Sequence, residues 1–536
     1  MATSISKLLS PNFFLILICL FFLLTRLYKI NEIPPSLYWD EASIGYNAYS
    51  ISQTGKDEWG EFLPIHFRAF GEFKLPVYIY TTAIFIKLFG LNEFSIRLPA
   101  VLFSLMTVLI TYLLAKELFR DTKLALFSAF FLTCSSWLFI FSRAGYEVSA
   151  GLMFFILGVY FMILAIKKKY LIIFATLSLI LSIYSYNSFR ILAPIALILL
   201  LFLHIQPIKI KNYFLILSAL IIFIISLTPI VRLLIYDAGF GRVQAFTLLP
   251  TIQQVYDLSG KPHLQLIFDR SKSTDWNKNF TNILTNYFVH FSPSFLLLEG
   301  DSNSRNHPQG FGQLFLTDIF LALLGIFIIK KQRKLLLYLP IIFLFLGPIP
   351  AILFKEAPHA LRSLTVVPFL SILMAVGATS ISKHFKKAPF LIIFIYLLFF
   401  VYFFQNFISQ YNRESSQDWQ YGYKGLFLDY KDQFNKFDKI IISDEYAQPY
   451  IFALYYLRYH PEKFRNEVKY NPVNNRGFSA VSKFDKFEFR KINKEDLKAK
   501  KTLIFATNLD KLDNISPYAE IKFLDEKTAF WVYNEN

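Results

Sequence analysis

The sequence predicts a mainly α-helical polytopic membrane protein that ends in a small α/β domain. Three observations predict this fold class. Hydrophobic residues make up 55% of the 536 residues and charged residues only 17%, whereas a soluble domain carries about 25% charge. Long apolar runs recur through the first 405 residues. Beyond residue 410 the runs stop and the density of charge rises. The composition therefore excludes a soluble enzyme.

A helix that crosses a membrane needs roughly 17–25 mostly apolar residues. Segments of this kind are predicted to give about eleven transmembrane helices: 11–29, 96–117, 123–142, 148–166, 169–186, 191–206, 213–231, 314–330, 335–353, 364–381 and 388–405. A shorter apolar segment, 75–90, opens with Pro76 and is left over. We predict that it forms an interfacial or re-entrant helix in the first outer loop.

Basic residues in the short links between spans set the predicted orientation. Clusters such as 167–169 and 330–334 all fall on one side of the membrane if 75–90 does not cross it. Cytoplasmic loops of membrane proteins carry such an excess of lysine and arginine. The net charge of +17 is therefore explained by topology, and nucleic acid is not a predicted partner. The segments that then lie outside are 30–95, 143–147, 232–313 and 354–363.

The tail that follows the last span lies on the same outer side. Its apolar patterns predict strands at 439–443 and 502–506, a helix at 448–459 and a hairpin within 523–533. We predict a transmembrane domain over 1–410, with outer loops 30–95 and 232–313, and an extracytoplasmic α/β domain over 411–536.

Two adjacent acids, Asp40 and Glu41, lie in the first outer loop shortly after the first span. Tyr46 follows on the same amphipathic segment. Carboxylates at this place could act in catalysis on the outer face. The alternative is that one of them caps the helix, since Asp is a good N-cap and acids favour the first helical turn.

A second group of polar residues comes directly before the interfacial segment: His66, Arg68, Glu72 and Lys74. Arg and Lys form charge-assisted hydrogen bonds with phosphate, so the group predicts phosphate binding at the membrane surface. The alternative is contact of the long side chains with lipid headgroups.

Further candidates occur in the remaining outer segments. Glu147 lies in the very short turn 143–147, where an acid near the bilayer boundary is costly and often functional. The alternative is a surface pair between Arg143 and Glu147. The other candidates are Tyr186, Arg190, His307, His359 and Arg362. Their convergence on one leaflet indicates an amphiphilic anionic ligand.

Several of these motifs carry a family resemblance. They are Trp39-Asp40-Glu41, Lys74-Leu75-Pro76, Ser95-Ile96-Arg97-Leu98-Pro99, the turn 142–147, and Pro358-His359-Ala360-Leu361-Arg362. Together they resemble the membrane glycosyltransferases of the C-type fold (GT-C). The similarity is to the family-39 and protein O-mannosyltransferase group, and to the aminoarabinose transferase that modifies lipid A. It covers about the first 410 residues and is most specific over 38–100.

The resemblance implies a polyprenyl-phosphate-linked sugar as donor. It also implies transfer on the extracytoplasmic side of the cell membrane, with inversion at the anomeric carbon. Asp40 matches the family's first-loop acid, which acts as general base or positions the acceptor. Glu147 matches a second acid that supports the site, and Lys74 matches the lysine that contacts the lipid phosphate. The sequence departs from the lipid A enzyme because Phe73 separates Glu72 from Lys74. A metal site built on Glu72 is therefore not predicted, and the participation of a divalent metal stays open.

Together these observations predict a glycosyltransferase with three groups of residues. The catalytic group is Asp40 as base, supported by Glu41 and Glu147. The donor phosphate would bind Lys74, Arg68, Arg190 and Arg362. The substrate would contact Tyr46, His66, Glu72, Tyr186, His307 and His359. The acceptor could be a lipid, a glycan or a protein. Two alternatives are a lipid or polysaccharide transporter and an inactive sugar-binding scaffold. The near absence of acids from the spans argues against ion-coupled transport.

Overall fold

The structure is a computed structural model, and it describes residues 10–70, 72–204, 213–236, 251–256, 262–267, 276–354, 356–472, 480–510, 512 and 516–535. Contacts divide the chain into two compact units. The helical unit comprises 1–28 and 100–405, and the loop–tail unit comprises 29–99 and 406–536. By its contacts, the first outer loop thus belongs to the same unit as the tail. The predicted boundary near residue 410 stays a prediction.

The helical unit is built almost entirely of helices. Its elements, with the two helices that continue into the other unit, are Pro11–Leu27, Glu93–Phe119, Thr122–Thr133, Ser136–Phe141, Val148–Leu164, Leu171–Ile183, Phe189–His204, Tyr213–Tyr236, Trp276–Val289, the π-helix Ser294–Leu298, Leu316–Lys330, the 3-10 helix Leu335–Tyr338, Leu339–Leu346, Ile349–Ile352, Val366–His384 and Ala388–Ser415. One antiparallel hairpin, Thr251–Tyr256 with Pro262–Ile267, lies in the predicted outer loop 232–313. Other parts of that loop fall outside the described residues.

Each of the eleven predicted spans is helical, and two of them are interrupted. The span 123–142 breaks at residues 134–135, where the Ser135 hydroxyl accepts a hydrogen bond from Leu138 N and starts a new helix. The span 335–353 breaks near Pro348, which has no backbone N–H to continue the helical ladder. Apolar runs therefore predict where helices occur, but they do not reveal such breaks.

The described part of the chain contains five helical segments long and apolar enough to cross a membrane, together with six shorter apolar helices. The five are Glu93–Phe119, Tyr213–Leu233, Leu335–Ile352, Val366–His384 and Ala388–Ser415. The predicted fold class, a helical membrane protein with a strand-containing tail, is thereby confirmed. How many of the helices cross the bilayer stays a prediction.

Two glycines allow a close crossing of two long helices in the helical unit. A Cβ atom at Gly325 would lie 2.0 Å from the Leu373 carbonyl oxygen, and one at Gly377 would lie 2.2 Å from the Leu321 carbonyl oxygen. Each glycine therefore faces the backbone of the other helix. Small residues at such crossings let membrane helices approach closely, and van der Waals packing then stabilises the pair.

The loop–tail unit begins with the first-loop helix, Trp39–Thr54. A two-stranded hairpin follows, in which Phe67–Ala69 pairs antiparallel with Glu72–Lys74. The helix Pro76–Phe89 comes next and packs against the first-loop helix. At 1.5 Å per residue its 14 residues are about 21 Å long, whereas the hydrocarbon core is roughly 30 Å thick. This length agrees with the predicted interfacial position.

The tail forms a seven-stranded mixed sheet with helices. The strand order is Ala519–Lys522, Thr528–Glu535, Thr502–Ala506, Lys439–Ile442, Phe487–Phe489, Val481–Phe484 and Lys469–Tyr470. The central strand is parallel to both its neighbours, and the other pairs are antiparallel. The helices of the tail are Tyr421–Asp429, Pro449–Tyr456 and Pro461–Glu467, with 3-10 turns Lys431–Lys436, Lys494–Lys498 and Asn508–Asp510. The predicted strands, helix and hairpin of the tail are all present.

Gly377→Val tests the helix crossing. The added side chain would overlap the Leu321 backbone, and we expect a loss of about 1–3 kcal/mol in stability, the usual cost of overpacking. Leu323→Val is the matched control, because Leu323 is 61% exposed on the partner helix. The thermal unfolding midpoint of detergent-solubilised protein measures the effect. Equal midpoints for Gly377→Val and wild type would contradict the close crossing.

Candidate functional site

Asp40 and Glu41 lie in the first turn of the first-loop helix. The N-cap is Tyr38, which makes no side-chain capping bond, so neither acid caps the helix. Both carboxylates lie where the positive end of the helix dipole favours negative charge. The capping alternative therefore does not account for the two acids, and their individual contacts decide what each can do.

Glu41 is held in a buried ion pair with Arg97. The guanidinium Nε lies 3.2 Å from Glu41 Oε1 and Nη2 lies 3.3 Å from Oε2. Arg97 also donates to three backbone carbonyls, those of Ile30, Pro34 and Ser36, at 2.7–3.1 Å. Arg97 is fully buried and Glu41 is 4% exposed. Glu41 is therefore held by Arg97 in this structure, and its supporting role in catalysis stays a prediction.

Asp40 lies at the next position and has a different environment. Its Oδ1 accepts a hydrogen bond from Lys74 Nζ at 2.7 Å. The Lys74 side chain is 3% exposed, whereas the Asp40 side chain is 40% exposed. Lys74 ends the hairpin strand Glu72–Lys74. The hairpin and the first-loop helix thus bring together two residues that the sequence singled out, with the carboxylate on the accessible side.

The other first-loop candidates have distinct positions. The Arg68 guanidinium lies over the Trp59 ring, 4.4 Å from its centroid, and that ring stacks on Tyr470 at 4.7 Å. His66 is half-buried. Tyr46 is fully buried, and its hydroxyl donates to the Tyr459 carbonyl oxygen at 3.1 Å. Tyr46 therefore lies in the core of this structure, and its contact with a substrate stays a prediction. The side chain of Glu72 lies outside the described residues.

Sequence reasoning missed one buried acid of this unit, Glu58. Its carboxylate is 2% exposed and accepts hydrogen bonds from Asn47 Nδ2 at 3.2 Å and the Tyr450 hydroxyl at 3.5 Å. Burial raises its pKa from 4.5 to about 8, although the bond from Asn47 partly opposes the shift. Burial also raises the pKa of the neighbouring Asp57 to about 6. The protonated form of each acid is therefore more favoured in the folded protein than in the unfolded chain.

In the helical unit, Glu147 directly precedes the helix Val148–Leu164 and is half-buried. The hydroxyl of the preceding residue, Tyr146, donates a hydrogen bond to the Arg305 carbonyl oxygen at 3.0 Å. Arg143 is fully buried and donates to the carbonyl oxygens of Thr25 and Tyr28. This turn is thereby fixed to neighbouring segments of its own unit, and Glu147 has a defined position.

A buried polar cluster that the sequence did not reveal surrounds Asp301. Its Oδ2 accepts from the Ala360 backbone N–H at 2.7 Å and from Asn306 Nδ2 at 3.1 Å. The Nδ1 atom of His359 lies 3.8 Å from the same oxygen. Burial raises the pKa of Asp301. Burial also lowers the pKa of His359 well below 6.5, and the positive charge of Arg362 lowers it further. His359 is therefore neutral at pH 7, so it does not add positive charge for a phosphate.

Among the described residues, three arginines of the helical unit have buried donors without a partner: Arg26 at Nη2 and two of the predicted phosphate-binding residues. Within the described part of the chain, Nε and Nη2 of Arg190 and Nη1 of Arg362 have no hydrogen-bond partner. Arg362 lies over the Phe354 ring at 3.9 Å. Buried donors without partners are costly unless a ligand satisfies them. Tyr186, near Arg190 in sequence, is half-buried.

His307 is fully buried in this structure, and its contact with a substrate stays a prediction. Its Nε2 lies 2.8 Å from the Phe311 carbonyl oxygen, and burial lowers its pKa to about 4. Gly300, at φ +73°, leaves room for the ring, because a Cβ atom there would lie 2.2 Å from His307 Cδ2. His307 therefore supports the fold of its loop. Among the described residues, no group of three or more His, Cys, Asp or Glu side chains could hold a metal ion.

Comparison with known proteins is consistent with this architecture. Residues 74–231, which begin at Lys74, match the family model of dolichyl-phosphate-mannose-protein mannosyltransferase. No curated protein matches the chain in sequence. Among solved structures, ArnT from Cupriavidus metallidurans bound to undecaprenyl phosphate has a TM-score of 0.53 at 10% identity, over 84% of this chain and 84% of that chain. Its apo state gives 0.51 at 10% identity, over 78% and 80%.

The oligosaccharyltransferase of Archaeoglobus fulgidus, in complex with Zn and sulfate, has a TM-score of 0.46 at 12% identity. The match covers 83% of this chain and 61% of that protein, so the chain spans about three fifths of its length. The ArnT matches show that the chain shares the fold of ArnT. Over 74–231 it carries the sequence pattern of the mannosyltransferase family named above. The resemblance found in the sequence is thereby supported in fold by ArnT and in sequence pattern over 74–231, and the apolar helices are those of an integral membrane protein.

The raised pKa of Glu58 predicts how stability depends on pH. Between about pH 4.5 and pH 8 the unfolded carboxyl loses its proton while the folded one keeps it. Stability therefore falls as pH rises through this window, by on the order of a few kcal/mol. We expect Glu58→Gln to show a smaller fall in thermal midpoint from pH 5 to pH 8, and the exposed control Glu526→Gln to follow wild type. Parallel curves for all three proteins would contradict the assignment.

The different environments of the two adjacent acids predict unequal losses of stability on substitution. Glu41→Gln leaves the Arg97 charge buried without its partner, and we expect a loss of about 3–5 kcal/mol. Asp40→Asn leaves an amide oxygen that can still accept from the buried Lys74 ammonium, so the expected loss is smaller, about 1–3 kcal/mol. Thermal unfolding of the purified variants measures both. A Glu41→Gln protein as stable as wild type would show that the buried pair does not hold the loop.

Proposed function

We propose that the protein is an inverting glycosyltransferase that moves a monosaccharide from a polyprenyl-phosphate donor to an acceptor hydroxyl or phosphate on the outer face of the membrane. The observation that carries this proposal is the Asp40–Lys74 pair, with its 2.7 Å contact between Oδ1 and Nζ. The accessible carboxylate of Asp40 can act as a base, and the buried ammonium of Lys74 lies directly beside it as a cation. Transfer of a glycosyl group from a phosphate requires both.

The proposed reaction is a single displacement. Asp40 accepts the proton of the acceptor hydroxyl, whose oxygen forms a bond with the anomeric carbon of the sugar. The bond between that carbon and the phosphate oxygen breaks, and its electron pair leaves with the polyprenyl phosphate. An ammonium has three donors, so Lys74 can bind Asp40 and also stabilise the charge that develops on the phosphate.

The same geometry supports inversion at the anomeric carbon. Retaining glycosidases use two carboxylates about 5–5.5 Å apart, one as nucleophile and one as acid. Here Glu41, the acid adjacent to Asp40 in sequence, is neutralised by Arg97 and cannot act as a nucleophile. A phosphate is a good leaving group and needs little acid assistance. One base is therefore sufficient, and a single displacement inverts the configuration.

The remaining candidates have supporting roles in this proposal. Arg68, Arg190 and Arg362 bind phosphate, and the buried unsatisfied donors of Arg190 and Arg362 support that role. Glu147 is a second acid. Substrate contacts are His66, Tyr186 and His359. The match to the mannosyltransferase family model and the likeness of fold to ArnT bound to undecaprenyl phosphate support a lipid-phosphate donor.

The proposed location is the plasma membrane, with the reacting groups on its extracytoplasmic face. The one-sided distribution of basic clusters in the links between spans supports this orientation. The acceptor is a lipid, a glycan or a protein. The transporter alternative requires ionisable groups at mid-membrane depth, and the sequence instead concentrates its polar residues at one interface.

Asp40→Asn tests the proposed base. The amide cannot take up the acceptor proton, so we expect transfer of radiolabelled sugar from polyprenyl-phosphate monosaccharides to fall by about 10²–10⁴-fold. The assay uses membranes that contain the full-length protein. The matched control is Asp438→Asn in the same unit, whose side chain is 78% exposed, and it should retain wild-type activity.

Thermal unfolding of the same preparations establishes that both variants are folded. Full activity of folded Asp40→Asn would remove Asp40 from the catalytic role. Equal loss of activity in Asp40→Asn and Asp438→Asn would show that the effect is not specific to this carboxylate.

A further inference from the structure

The tail contains a cavity of about 230 Å³ that no step of the proposed reaction uses. It lies in the loop–tail unit, between the segment that follows the helix Ala388–Ser415 and the hairpin of Ala519–Lys522 with Thr528–Glu535. Its lining includes Gln417, Asp418, Gln420, Tyr446, Phe523 and Phe530. Drug-sized ligands occupy pockets of roughly 300–1,000 Å³. The cavity is therefore of a size for one small polar ring.

One side of the cavity is aromatic. The rings of Tyr446 and Phe530 pack edge to face with centroids 5.5 Å apart, and Tyr446 lies 6.1 Å from Phe523. Phe530 is fully buried and Phe523 is 8% exposed, so these two rings support the half-buried Tyr446, whose ring is the accessible one. Preformed aromatic walls of this kind bind ligands that present an apolar face.

The other side of the cavity is polar and carries no positive charge. Gln417, Gln420 and the exposed carboxylate of Asp418 line it, and no lysine or arginine is among the described lining residues. An anionic ligand such as a phosphate would meet only a negative charge here. A ligand rich in hydroxyl groups would find a carboxylate and amide oxygens that accept its hydrogen bonds.

Gln420 connects the cavity to the proposed base. Its Nε2 donates to the Tyr446 carbonyl oxygen at 2.7 Å, and its Oε1 accepts from the Trp39 backbone N–H at 3.2 Å. Trp39 is the residue before Asp40 and begins the first-loop helix. The Gln420 side chain thus links the lining of the cavity to the helical turn that carries Asp40.

We propose that this cavity binds one sugar residue of a glycan acceptor. A pyranose ring has an apolar face of C–H bonds, which suits the aromatic wall, and a rim of hydroxyl groups, which suits Asp418 and the two glutamines. A pyranose ring also fits the volume of the cavity, and an uncharged ring needs no positive charge in the lining. That the bound sugar belongs to an acceptor rests on the proposed transferase function. The binding of a sugar in the cavity does not depend on that function.

Binding of methyl glycosides to the full-length protein in lipid nanodiscs tests this site. The probes are methyl glycosides of glucose, galactose, mannose, rhamnose and N-acetylglucosamine, measured by saturation-transfer NMR. We expect at least one to bind wild type in the millimolar range. Asp418→Asn and Tyr446→Ala should weaken it at least about tenfold, or 1.4 kcal/mol. The controls Asp438→Asn and Tyr518→Ala change exposed side chains of the same tail and should leave binding unchanged.

The outcomes separate the two proposals. Because binding requires no transfer, loss of the transferase proposal would leave this measurement valid. Absence of binding by every probe to wild type would overturn the sugar site, as would equal binding by wild type and folded Asp418→Asn. Binding of a Ser/Thr-rich decapeptide in place of the glycosides, abolished in Asp418→Asn, would overturn the glycan assignment and point to a protein acceptor.

Discussion

The buried charge of Arg97 is the constraint on which the first outer loop depends. A guanidinium taken out of water must have its donors satisfied and its charge compensated. Arg97 meets this demand with three backbone carbonyls of 30–36 and the Glu41 carboxylate. The loop therefore closes around one side chain, and the start of the first-loop helix is held in a single position.

That constraint gives two adjacent acids different chemistry. Successive residues of a helix point about 100° apart, since there are 3.6 per turn. With Glu41 directed at Arg97, Asp40 is directed elsewhere, where Lys74 meets it and 40% of its side chain stays accessible. One acid thus stabilises the loop and the other can react. A negative carboxylate beside a lysine suits a reaction in which a proton is taken up and a phosphate departs.

The sequence predicted much of this fold because its signals are local. Apolar runs located all eleven helical spans, and the strand 439–443 and the helix near 448–459 followed from short-range patterns. The motif 38–41 and Lys74 were also recognisable. The partner of Glu41 was not, because Arg97 is 56 residues away and belongs to another element. Long-range contacts of this kind are set by packing and leave no periodic trace in the sequence.

Burial was the other property that residue type could not reveal. Tyr46 and His307 have side chains typical of a binding site, yet both are fully enclosed. Glu58 and Asp301 were overlooked because an isolated acid in a loop looks like a solvated one. In the structure both are buried, and burial raises the pKa of each.

The most direct test of the account is the product formed by wild-type protein in proteoliposomes. The measurement is NMR of the sugar transferred from a polyprenyl-phosphate monosaccharide of known anomeric configuration, together with the amount of polyprenyl phosphate released. The account predicts one polyprenyl phosphate per sugar transferred and an inverted anomeric centre. Retention of configuration, or no transfer from any donor by folded protein supplied with lipid, glycan and protein acceptors, would contradict it.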